Sequence, residues 1–126
     1  MTHARIEHAN LTVSDSSRTA AMLHALFGWN IRWQGLAQSD GWTIHIGNDD
    51  DYLAVWSETQ AGGPPLGHGK GAPLNHVGIV VDDLVEVERR AVAHGLTPFG
   101  HGDYAPGRRF YFVDPDGIEF EIVSYR

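Results

Sequence analysis

The chain contains no cysteine, only nine lysines and arginines against sixteen aspartates and glutamates, and no apolar run near the roughly 20 residues of a membrane span. Without cysteine there is no disulfide framework, no thiolate metal site and no cysteine nucleophile, so stability rests on packing. The formal charge of -7 repels phosphate backbones and anionic lipid surfaces, and neither nucleic acid nor membrane is expected as a partner. The opening MTHARIEHANLTV lacks the apolar core and small-residue cleavage pattern of a signal peptide, which points to the cytoplasm. A length of 126 residues suits one ordinary domain and excludes a two-domain enzyme, while 42% hydrophobic residues is too apolar for a disordered chain. Histidine, by contrast, is plentiful at eight residues.

Apolar periodicity divides the chain into alternating element types. Residues 4–13 alternate, with Ala9, Leu11 and Val13 on one face and His8, Asn10 and Thr12 on the other, as in a half-buried strand. Ser14 and Asp15 offer N-cap chemistry to an amphipathic helix that buries Ala20, Leu23, Leu26 and Phe27 and stops at Gly28. NIRWQGL, GWTIHIG and YLAVWS are rich in β-branched and aromatic residues and read as three strands. Residues 58–73 hold five glycines and three prolines in sixteen positions, the composition of an irregular connector. Beyond it LNHVGIVVD reads as a strand, and Asp83 with Glu86 has capping-box spacing. LVEVERRAVAH is a helix turning Leu84, Val87, Ala91 and Val92 inward, and LTPFG, RRFYFVD and IEFEIVSY are strands, the last two joined by a turn at Asp114-Pro115-Asp116-Gly117.

The two halves repeat. His8, Leu11, Val13 and Asp15 map onto His76, Ile79, Val81 and Asp83 at a constant offset of 68, and YLAVWS overlays EFEIVS at 67. The expected architecture is therefore α+β, one domain over 1–126 built from two βαβββ modules, 4–57 and 74–126, around the 58–73 linker. Such modules are too small to cover their own sheets, and are expected to form a mixed-sheet cleft or half-barrel with the helices outside. His8 and His76 are then equivalent positions facing away from the aliphatic side. On the closing strand Ile118, Phe120 and Ile122 face the helix, so Glu119, Glu121 and Val123 face the other way. Two imidazoles and the Glu121 carboxylate form a donor set for a divalent transition metal, Zn, Fe, Mn, Ni or Co, with positions left open for substrate.

These segments resemble the vicinal oxygen chelate superfamily, which includes glyoxalase I, extradiol dioxygenases, fosfomycin-resistance thiol transferases and bleomycin-resistance proteins. The resemblance lies in IEHANLTVSD, LNHVGIVVDD and FYFVDPDGIEFEIV, and spans the whole chain. It implies tandem βαβββ modules, His8, His76 and Glu121 as metal ligands, and a homodimer, which would also cover open sheet edges. The fourth ligand of glyoxalase I-type sites falls at Ala54, which cannot ligate, so three protein ligands remain, as in the dioxygenase and fosfomycin-resistance branches.

Other residues carry two readings each. Glu119 is either a general base beside the metal or a rim charge, and His45 is either an acid, base or support residue or exposed on an edge strand. Arg108 and Arg109, near Tyr104, hold an anionic group of the substrate or are solvated loop charges. Trp56 and the neighbouring aromatics line a substrate pocket or belong to the core. Two functions follow: a metal-dependent lyase, isomerase, dioxygenase or thiol transferase acting on a small molecule with neighbouring oxygens, or a metal-free drug-binding protein resembling bleomycin-resistance proteins.

Overall fold

The computed structural model describes residues 4–37, 40–104 and 107–126. Ala105 and Pro106, in the loop expected before Arg108, lie outside the described residues, as do the first three residues of the segment read as lacking a leader. The chain divides into two compact units, Met1–Pro64 and Pro65–Arg126, and the division falls inside the Gly/Pro-rich connector. No helix among the described residues is long and apolar enough to cross a membrane.

The first unit runs β1 (His8–Thr12), α1 (Ser16–Phe27), β2 (Asn30–Leu36), β3 (Trp42–Gly47) and β4 (Tyr52–Ser57). Its sheet has the order β1-β4-β3-β2, with β1 parallel to β4 and the other pairings antiparallel. The Asp15 side chain accepts the Arg18 N–H at 3.1 Å and starts α1. Gly28, at φ 71°, ends it in the left-handed conformation that glycine adopts without strain, returning its N–H to the His24 carbonyl at 2.8 Å. The helix lies on β3 and β4, burying Ala20, Leu23 and Leu26 in a core with Ile44, Ile46, Leu53 and Val55. Each large aliphatic side chain buried there contributes about 1.5–3 kcal/mol.

The second unit repeats this plan with β5 (Val77–Val80), α2 (Leu84–Ala93), β6 (Phe99–Tyr104), β7 (Gly107–Val113) and β8 (Glu119–Ser124), in the sheet order β5-β8-β7-β6. Leu84, Val87 and Ala91 of α2 are buried, as are Phe110, Phe112, Phe120 and Ile122 of the strands beneath. The Phe112 and Phe120 rings stack at 5.0 Å. Strand register bears out the repeat pair by pair. Asn10 opposes Ala54 and Leu11 opposes Val55 in the first unit; Gly78 opposes Glu121 and Ile79 opposes Ile122 in the second. The fold is thus the expected tandem βαβββ arrangement.

Several local expectations are corrected. β1 begins only at His8, and Ala9 is exposed despite its place in the alternation. Phe27 is only half-buried and lies against Trp29, because it sits at the last turn where the helix leaves the sheet. Val92 is 57% exposed: three inward positions already fill the short α2 face, and Val92 lies beyond their stripe. The strand expected over 96–100 starts at Phe99 and runs to Tyr104. The capping box is half formed. Asp83 accepts the Glu86 N–H at 3.1 Å, but the Glu86 carboxylate turns to Arg89 and Arg90, whose charges outcompete a backbone amide.

Candidate metal centre

In the second unit the site grows from the last hairpin. Asp114 Oδ1 accepts the N–H groups of Asp116 at 2.9 Å and Ile118 at 2.8 Å, closing the turn that sends β8 back along β7. Gly117 has φ 88°, and a Cβ there would strike the His68 backbone, so glycine is required twice over. The turn sets the register in which Tyr111 opposes Glu121 and Arg109 opposes Val123. Alternate residues of the two strands, Arg109 and Tyr111 with Glu119, Glu121 and Val123, therefore share the face away from α2.

On that face Glu121 meets His76. His76 Nε2 lies 3.5 Å from Glu121 Oε1, and the rest of both side chains is committed. His76 Nδ1 lies 2.7 Å from the Asn75 carboxamide oxygen; in the tautomer with the proton on Nδ1, Nε2 keeps a lone pair. Glu121 Oε2 accepts from the Tyr111 hydroxyl at 2.8 Å and from Arg109 Nη1 at 3.2 Å. The hydrogen bond to Glu121, with burial next, raises the Tyr111 phenol above its ordinary range. In that tautomer two acceptors face each other with no protein donor between them among the described residues. Donor atoms bound to one transition ion at about 2.0–2.1 Å sit roughly 3.0–3.4 Å apart, so this pair has the chemistry for a divalent ion and, at 3.5 Å, would close by about 0.1 Å or more to share one.

Glu119 is 8% exposed, with Oε2 held by Lys70 Nζ at 2.6 Å, so it is not a rim charge. Lys70 comes from the connector, which is anchored on the hairpin by the Leu66 N–H to Asp116 Oδ1 at 3.0 Å. Tyr104 lies under the Arg109 guanidinium at 4.6 Å. Arg109 belongs to β7 and is mostly buried, which overturns the solvated-loop reading for that residue. Arg108, its neighbour on the opposite face, lines a depression on the α2 side with Leu84, Val85, Glu88, His101 and Asp103. It is not brought to Glu121, because successive strand residues point to opposite faces.

In the first unit His8 repeats the support seen at His76. Its Nδ1 is bonded to the carboxylate of the preceding residue, Glu7 Oε1, at 3.0 Å, leaving Nε2 unused. The His8 and Tyr52 rings stack at 4.9 Å, Tyr52 and His45 at 4.7 Å, and Trp33 tilts against His45 at 5.3 Å. Arg32 covers Tyr52 at 4.3 Å. β3 is an inner strand, so His45 is not on an edge. Burial first, then the positive charges of His8 and Arg32, hold its imidazole below the ordinary histidine range. Trp56 is half-buried and lies so close over Gly41 that no side chain fits there. Ala54 is buried between Asn10 and His45, where a fourth ligand would stand. Among the described residues no group of three or more His, Asp or Glu side chains is gathered into a metal cluster. The structure joins His76 to Glu121, with Glu119, Arg109 and Tyr104 beside them, and joins His45 to His8.

The family model described as the Glyoxalase/Bleomycin resistance protein/Dioxygenase superfamily matches residues 5–122. The chain belongs to that superfamily. Comparison with curated proteins gives no match. Among solved structures, a glyoxylase/bleomycin resistance protein/dioxygenase domain from Frankia sp. EAN1pec superposes with a TM-score of 0.83 at 20% identity, covering 99% of this chain and 100% of that one. The fosfomycin resistance protein FosX from Mesorhizobium loti gives 0.73 at 23% identity, covering 98% and 92%. FosX from Listeria monocytogenes, solved with Mn(II) and sulfate, gives 0.74 at 20% identity, covering 98% and 93%. At these identities the superpositions establish a shared superfamily fold.

Residues of the site missed in the sequence include Tyr111, Lys70, Asn75, Glu7 and Arg32. Tyr111 was legible: counting back across the Asp114–Gly117 turn pairs it with Glu121. Lys70 carried no local signal, since its pairing with Glu119 depends on how the connector folds back.

Proposed function

We propose that this chain is a divalent-metal-dependent enzyme of the glyoxalase/dioxygenase type, acting on a small substrate that offers two neighbouring oxygens, with His8, His76 and Glu121 as the protein ligands. The observation that carries this reading is the approach of His76 Nε2 and Glu121 Oε1 to 3.5 Å, with Nδ1 and Oε2 engaged by other residues. His8 joins them by its repeat equivalence to His76 and by the same support, an acceptor from the preceding residue on Nδ1. That the Listeria FosX was solved with Mn(II) is consistent with the donor set. When bound, such an ion supplies Lewis-acid polarisation of a substrate oxygen.

The surrounding residues supply the rest. His45, held neutral by its surroundings, is suited to take a proton near neutral pH. Glu119 keeps one oxygen for Lys70 and has Oε1 to accept a substrate proton. Arg109 and Tyr104 form one wall for an anionic or planar group, with Trp56 in the same role on the first sheet. Arg108, on the far face of its strand, drops out of this set. The reaction falls among lyase or isomerase, dioxygenase and thiol-transfer chemistry. A cytoplasmic homodimer completes the reading, the dimer supported by edge strands that pairing would cover.

A second reading, metal-free sequestration of a planar drug, is favoured by the half-exposed Trp33 beside the stacked His45 and Tyr52. Elemental analysis of protein purified without chelators separates the two. Stoichiometric transition metal, lost in His76→Ala and Glu121→Gln, supports the enzyme; no metal after supplemented expression, with titration unchanged by those substitutions, overturns it in favour of the binder. A screen of hemithioacetals, catechols and fosfomycin then sorts the reaction.

A further inference from the structure

Glu121 is gripped at one oxygen and bare at the other. Both donors to Oε2 come from β7, where Arg109 and Tyr111 occupy alternate positions on the face that β8 presents with Glu121. Arg109 is itself immobilised: Nη2 donates to the Gly107 carbonyl at 3.3 Å, the guanidinium rests on Tyr104, and the side chain is 13% exposed. Its Nε is buried without an acceptor among the described residues, so the side chain retains this position on the strength of its other contacts. A guanidinium that spends one N–H of each terminal nitrogen and has its face stacked is held in place as a brace for the carboxylate.

We infer that Arg109 and Tyr111 are positioning residues that make Glu121 a one-oxygen ligand, and so set which divalent ions the site accepts. The inference rests on the proposed metal site. With Oε2 sharing two hydrogen bonds, one from a cation, only Oε1 is free to turn toward His76 Nε2. Calcium takes six to eight oxygens and exploits bidentate carboxylates, whereas zinc, manganese and cobalt accept one oxygen beside imidazole nitrogen. The brace therefore selects against calcium by withholding an oxygen. Tyr111 also meets the His76 ring edge-on at 6.2 Å, so the same residue buttresses both donors.

The test is titration of metal-stripped protein with Mn(II), Zn(II) and Ca(II) by calorimetry, comparing the unmodified chain with Tyr111→Phe, Arg109→Met, Glu121→Gln and His76→Ala. Removing a hydrogen-bond partner of a ligand weakens binding about tenfold or more. Tyr111→Phe is accordingly expected to weaken Mn(II) and Zn(II) by about tenfold, and both brace variants to raise the ratio of Ca(II) to Zn(II) affinity as the second oxygen becomes available. Melting of the metal-free variants separates a folding defect from this effect, since reduced stability alone does not change an ion ratio. If Glu121→Gln abolishes binding while Tyr111→Phe and Arg109→Met leave affinities and ratio unchanged, the brace is refuted and the metal site stands. If His76→Ala and Glu121→Gln also change nothing, the metal reading itself fails and the brace falls with it.

Discussion

Replacement of Asp114 by alanine tests how the closing hairpin delivers Glu119 and Glu121 to their face. One side-chain oxygen, Oδ1, accepts two backbone donors, Asp116 N–H at 2.9 Å and Ile118 N–H at 2.8 Å. Asp114 is 4% exposed and Asp116 fully buried, so water does not readily replace the lost acceptor. A buried donor left unsatisfied costs about 1–3 kcal/mol, which puts Asp114→Ala at about 2–6 kcal/mol. Asp114→Asn retains an oxygen where both donors converge and loses mainly the charge assistance, about 1–2 kcal/mol. All four tryptophans, Trp29, Trp33, Trp42 and Trp56, lie in the first unit, so their fluorescence does not report on this turn. Amide hydrogen exchange at Asp116 and Ile118, alongside urea unfolding followed by circular dichroism, does. The expected pattern is faster exchange at both amides in the alanine variant and near-normal exchange in the asparagine variant. Equal losses in the two variants, or less than about 1 kcal/mol for alanine, would refute the argument that a single oxygen organises the turn.

Three further outcomes follow from the same geometry. Lys70→Met strands the Glu119 carboxylate, and because Lys70 is half-exposed and screened the expected cost is about 1–3 kcal/mol, less than for a fully buried pair; adding Glu119→Gln should recover most of it in urea unfolding. The His45 imidazole titrates below its unfolded value, so the neutral form is favoured on folding: this contribution is fully present above about pH 6.5 and is lost as pH falls below that toward the lower folded value. NMR titration of the imidazole reads the shift, and His45→Gln should flatten the stability profile on the acid side of the ordinary histidine value. Glu86, lowered to about 2 chiefly by its hydrogen bonds from Arg89, supports folding above its ordinary value of 4.5 and ceases to do so as pH falls toward 2; thermal melts of Glu86→Gln and the unmodified chain should differ at pH 7 and converge at low pH.

The fold was legible because its signals were periodic and duplicated. Leu11 and Val55 in one copy, Ile79 and Ile122 in the other, hold equivalent ladder positions at the offsets that the residue strings alone display. Capping chemistry was equally local: Asp15, Gly28 and Asp83 act within four residues of themselves. Errors arose where a choice depended on neighbours distant in sequence. Val92 is apolar, but it lies off the stripe of Leu84, Val87 and Ala91 and no element covers it. Glu86 had the spacing to cap its helix, and two arginines on the same surface drew it away.

The site shows the same limit more sharply, because a strand face can be counted but a hydrogen-bond partner cannot. Alternation put Glu121 opposite the aliphatic side, yet nothing in IEFEIV says that one of its oxygens would be taken twice from β7. Comparison of the repeats gives the physical reason why the brace belongs to one copy. The position equivalent to Glu121 is Ala54, the strand neighbour equivalent to Tyr111 is His45, and the position equivalent to Glu119 is Tyr52. Where there is no carboxylate to orient, a hydroxyl and a guanidinium have nothing to hold, and the first unit fills the same face with stacked rings and a neutral imidazole. The two units share one strand order. The substitution of three side chains turned one into a carboxylate presented at a fixed angle and the other into an aromatic surface around His8, a division of labour that requires no difference in backbone topology.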